Sequence, residues 1–61
     1  MNMCHYIQSY KGLVLWQKDH YSYEIEDRTT KGAAKVLARP TDFRNALAQF
    51  YAIRDKRITA E

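Results

Sequence analysis

One cysteine, one proline and two glycines are all this 61-residue chain holds of the residues that staple, break or loosen a small fold. With Cys4 alone, no intrachain disulfide can form, and secreted domains of this size ordinarily rely on several. The first residues, Met-Asn-Met-Cys-His, have neither the basic region nor the apolar stretch of a secretory leader, so a cytoplasmic location is expected. The longest apolar runs, residues 13–16 among them, are strand-sized, whereas a membrane-crossing helix needs roughly 18 residues. No membrane partner is expected. Repeats, linkers and low-complexity stretches are also missing. The chain opens on Met1 and reads as one complete domain over residues 1–61. A domain this short buries only about 60% of the surface its unfolded chain exposes, which leaves little room for a closed active site.

The chemistry of catalysis is equally sparse. Cys4, His5 and His20 are the sulfur and nitrogen candidates for a metal, and adjacent strand residues point to opposite faces, so Cys4 and His5 do not converge on one ion. Cys4 reads as a small, half-buried residue of the first strand. A triad drawn from Cys4, His20 and Asp19 has nothing to fix its geometry. Glu24 and Glu26 share a strand face, with Asp27 beyond them and Lys35 a candidate opposite, the residue types of a Mg²⁺-dependent nuclease. In so small a domain they read more simply as the solvated side of an amphipathic strand. Gly12 and Gly32 stand alone and make no phosphate loop. Neither a cofactor, a metal nor an enzymatic activity is expected.

What is present is pattern. Hydrophobic residues make up 46% of the chain and charged residues 28%, the balance of a folded domain rather than a disordered one. Residues 13–16 are strand-like, 18–20 turn-like, and residues 21–26 alternate, with Tyr21, Tyr23 and Ile25 on one face and Ser22, Glu24 and Glu26 on the other. Residues 3–9 make a further strand, reversed through Tyr10, Lys11 and Gly12. Residues 27–32 form a polar connection. Residues 33–39 suit an edge strand or a helix, and a strand is preferred because a wider sheet gives the helix more to cover. Pro40 stops that segment, and Thr41 or Asp42 caps a helix over residues 42–57. Phe43, Ala46, Leu47, Phe50 and Ile53 lie on its apolar face. Arg54 and Arg57 interrupt that face, so the last turns should project past the sheet and residues 58–61 should fray. The expected fold is α+β: an antiparallel meander of three or four strands over residues 3–38, packed against one C-terminal helix.

Two features suggest a binding role. Residues 1–27 carry two cations against four carboxylates, a net of −2, while residues 28–57 carry eight cations against two carboxylates, a net of +6. Such a basic half suits a polyanion or an acidic protein groove. The second feature is the aromatic set. Trp16 and a pair of tyrosines suffice to roof the helix, so two or three of the five tyrosines should be exposed, Tyr10 and Tyr51 among them. The candidate binding residues are therefore Tyr10, Arg39, Arg44, Tyr51, Arg54, Lys56 and Arg57.

Tyr21-x-Tyr23, the run from Asp27 to Lys31 and Leu37-x-Arg39 give the middle of the chain something similar to the DNA-binding module at the N-terminus of some phage-type integrases. That resemblance implies a three-strand-plus-helix domain whose sheet enters the major groove. Glu24 and Glu26 would meet phosphates with the wrong sign, and the mixture of an acidic hairpin with a basic second half fits a protein partner better. The preferred reading is a small non-enzymatic protein of the phage or mobile-element inhibitor style, docking on a host protein or complex. The alternative is a nucleic-acid-binding module, and a homodimer is compatible with both.

Overall fold

The computed structural model describes residues 4–29 and 34–60. Met3, Lys31, Gly32 and Glu61, to which the sequence assigns a strand start, a polar connection and a frayed end, lie outside the described residues. Five elements follow one another: β1 (His5–Tyr10), β2 (Leu13–Asp19), β3 (Ser22–Asp27), β4 (Lys35–Ala38) and α1 (Phe43–Ala60). The strands pair antiparallel in chain order, β1-β2-β3-β4, beneath a single helix, which is the α+β meander expected. The ambiguous segment is a strand, β4.

The turns explain the order. Lys11 and Gly12 both have positive φ, 43° and 87°, as a two-residue hairpin turn matched to strand twist requires. Gly12 is needed for a second reason: a Cβ there would overlap the Thr29 methyl carbon, Cγ2. The close approach lets Arg28 N–H donate to the Gly12 carbonyl at 2.7 Å, so the end of β3 closes onto the β1–β2 turn. Between β2 and β3, the Asp19 carboxylate accepts from Tyr21 N–H at 2.9 Å, a local bond that holds the His20-Tyr21 reversal. Past β4, Tyr23 N–H donates to the Pro40 carbonyl at 2.9 Å, carrying the ladder one step beyond Ala38. Asp42 then caps α1 by accepting from Asn45 N–H at 3.0 Å.

Strand alternation sorts the side chains. Leu13 and Leu15 of β2 and Tyr23 and Ile25 of β3 face α1, and with Ala46 and Phe50 they form the buried core. Ile7, Tyr10, Ala38, Leu47 and Ile53 pack around it. A register shift between Tyr6 and Gln8 gives β1 one extra residue, Ile7. Ile7 and Tyr10 thereby both reach the helix side.

Several expectations change here. Trp16 does not roof the helix; it follows Leu15 and so points to the other face of the sheet. Phe43, expected in the core, is 49% exposed: it is the first helical residue and lies at the margin of the core beside the Tyr23 ring, 6.1 Å away, while Ala46 in the same turn is buried. The helix does not leave the sheet at Arg57: that guanidinium reaches back to Asp27 at the end of β3, at 2.9 Å. Helical structure continues through Ile58 to Ala60, where a frayed tail was expected.

Candidate functional site

Two surfaces stand out, one on each side of the sheet. The first is the edge of α1 beside β1. Tyr51 sits one residue beyond the buried Phe50, so its ring leaves the core and remains exposed. Its hydroxyl accepts from Gln8 Nε2 at 3.0 Å, and the Arg54 guanidinium stacks 4.6 Å from its ring centroid. Arg54 is held in turn by Asp55, with Nε and a terminal nitrogen 3.2 and 3.0 Å from the same carboxylate oxygen. A tyrosine and an arginine three residues apart on a helix naturally meet in this way. The sequence placed both in the candidate set, and the structure brings them together.

The other candidates do not converge on them. Tyr10 is half-buried and packs against the core instead of standing exposed in a turn, because it closes β1 opposite Leu13. Lys11 Nζ lies 5.5 Å from its ring centroid. Arg57 is committed to Asp27. That carboxylate accepts from the Thr29 hydroxyl, from Thr29 N–H at 2.8 Å and from Arg57 at 2.9 Å. These bonds, those of Thr29 first, hold its pKa at about 2, below the ordinary 3.8. The cluster is a latch joining strand end and helix end. Arg44 and Lys56 are exposed on α1, and Arg39 belongs to the opposite surface.

That second surface is the outer face of the sheet, which no described element covers. Across it run Tyr6 of β1, Trp16 of β2 and Glu24 of β3, paired side by side. Next to them come Val14, Glu26 and Val36. Tyr6 meets Trp16 edge to face at 6.0 Å, and the Arg28 guanidinium lies 5.4 Å from the indole centroid. Glu24 is flanked by Lys18 at 3.8 Å and Arg39 at 3.9 Å, and Glu26 by Arg28 at 3.5 Å. The acidic face is therefore not simply solvated: Glu26 is only 7% exposed. Lys35 lies opposite Asp27 rather than opposite the glutamates.

The sequence missed Tyr6, Trp16, Lys18 and Arg28 as members of one surface. A signal existed for Trp16, since the Leu13/Leu15 alternation assigns it to the far side, but Arg28 lies past the strand end where alternation says nothing. Cys4 is exposed ahead of β1 rather than half-buried within it, with Lys18 Nζ 3.8 Å from its sulfur. His5 and His20 are exposed. Among the described residues no cluster of three or more His, Cys, Asp or Glu is arranged to hold a metal ion, and no helix is long and apolar enough to cross a membrane. In comparisons with known proteins, no family model, no curated protein and no solved structure matches the chain.

Proposed function

We propose that this protein is a small non-catalytic modulator that docks on another protein, in the style of the cytoplasmic inhibitors that phages and mobile elements direct at host proteins. The observation that carries the reading is the ordered Tyr51–Arg54 pair. Its ring is tethered by Gln8, its guanidinium is stacked on that ring and tied to Asp55, and on the helix edge Tyr51 stands exposed with Arg54 half-buried beside it. Tyrosine and arginine dominate the energetics of protein interfaces, and side chains fixed beforehand lose less entropy on binding.

The test is capture of partners from host lysate treated with nuclease, repeated with Tyr51→Ala and Arg54→Ala. A nuclease-resistant partner should be retained by the original protein, and each substitution should cost more than about 2 kcal/mol of its affinity. Material that vanishes with nuclease, or that both variants retain unchanged, overturns the reading.

A nucleic-acid-binding module is the second reading. It gains from the pairing of Glu24 and Glu26 with Lys18, Arg28 and Arg39, which offsets the repulsion those carboxylates offer to phosphates. Arg39, Arg44, Arg54, Lys56 and Arg57 would then make the phosphate contacts, and affinity would fall with salt at a log–log slope near −0.9 per contact.

A further inference from the structure

We propose that the outer face of the sheet, on the side away from α1, receives an acidic, extended segment of the partner protein. The proposal rests on the protein-docking reading above but concerns a different surface from the Tyr51–Arg54 edge. Three observations lead to it.

The first is the layering of charge. Side-chain exposure is 38% for Lys18, 53% for Arg28 and 74% for Arg39, against 21% for Glu24 and 10% for Glu26. The carboxylates lie underneath and the cations above them, so an approaching chain meets positive charge first. The ion-pair distances, 3.5 to 3.9 Å, exceed the roughly 2.7–2.9 Å of a charge-assisted hydrogen bond. Each cation therefore keeps donors to offer a second carboxylate.

The second is the Trp16 indole. Its Nε1–H is shielded from solvent and has no acceptor. A buried donor left without a partner destabilises the arrangement that leaves it so. Two side chains lie against the ring, both more than half exposed: Tyr6, whose hydroxyl bonds to that of Ser9, and Arg28, which is held only by the long ion pair to Glu26 among the described residues. A carboxylate or carbonyl that draws Arg28 aside gives that N–H a way to an acceptor.

The third is area. Four strands at about 4.8 Å spacing and about six residues at 3.3 Å rise present roughly 300–400 Å². A stable dimer buries about 800 Å² per partner, so the face is undersized for a second copy of this chain while one extended segment fits it. Single-stranded nucleic acid fits less well, because stacking needs an open aromatic face. Here Tyr6 abuts the indole edge to face.

Trp16 is the only tryptophan in the chain and so reports on its own surface. The experiment titrates the protein with a decapeptide of alternating Glu and Val. Alternating Lys and Val and a ten-nucleotide oligothymidylate serve as comparators, with Trp16 emission and peptide anisotropy as readouts. The acidic peptide should bind saturably, more weakly at high salt, and Arg28→Ala combined with Arg39→Ala should weaken it by at least about tenfold. Trp16→Phe, which keeps an aromatic ring but removes the donor, should also weaken it by anisotropy, with each variant's unfolding midpoint measured alongside. The proposal is overturned by no saturable binding at low salt, by equal binding of the basic peptide, by tighter binding of the oligonucleotide, or by affinity that the variants leave unchanged. If the acidic peptide fails while Tyr51-dependent capture from lysate persists, this surface is wrong and the protein-docking reading stands. If that capture fails as well, both fall.

Discussion

Leu15 and Trp16 are neighbours in the chain and face opposite sides of one sheet. Leu15 is fully buried among Leu13, Ile25 and Phe50, with no polar group to satisfy. Trp16 lies in a layer of tyrosine, arginine and glutamate, and its N–H has no acceptor. The inner face is built as a core; the outer face is half-covered by its own long polar side chains. A small domain with one helix can close only one side of its sheet, and the contrast shows which side carries stability.

Core substitution should separate the two sides most sharply. Phe50→Ala should cost about 3–5 kcal/mol of unfolding free energy, while Trp16→Phe should cost far less because it also removes an unsatisfied donor. Urea denaturation followed by circular dichroism measures both, and equal losses would erase the distinction. Next in size is Gly12→Ala, expected to cost more than about 1 kcal/mol, since the residue sits at positive φ and its new methyl collides with Thr29. Asp42→Ala should remove about 0.5–2 kcal/mol with the helix cap. Smaller still, Lys18→Met on the outer face should change stability by less than about 1 kcal/mol, as exposed ion pairs do.

The latch at Asp27 adds a pH signature. Its folded pKa, about 2, lies below the ordinary 3.8, so its contribution to stability is present above about pH 4. That contribution is lost as the pH falls through 3.8 towards 2 and the carboxylate takes up its proton. Unfolding midpoints between pH 2 and 5 should therefore fall less steeply in Asp27→Asn than in the original protein. Identical profiles would mean that Thr29 and Arg57 do not hold the carboxylate.

Much of the fold is legible in the sequence because period and punctuation agree. Tyr23 and Ile25 alternate with Glu24 and Glu26, Gly12 marks the tight turn, and Asp42 follows Pro40 where the helix begins. The errors have physical causes. Helical period assigns Phe43 to the apolar stripe but cannot say that the core ends short of the first helical residue. Composition marks Arg57 as an exposed cation, yet Asp27, 30 residues away in the chain, takes it. For the candidate surfaces, Tyr51 and Arg54 were within reach of sequence because their meeting is local to one helix. The Tyr6–Trp16–Arg28 cluster was not, since it depends on the register of β1 against β2 and on the path of the chain after β3.

The central claim, that the partner is a protein and not a polyanion, is tested most directly by titrating labelled protein against random-sequence duplex DNA at two salt concentrations. The expected result is no binding even at low salt, because Arg57 is committed to Asp27 and Arg54 is committed to Tyr51 and Asp55. Micromolar or tighter binding that falls steeply as salt is raised would contradict it.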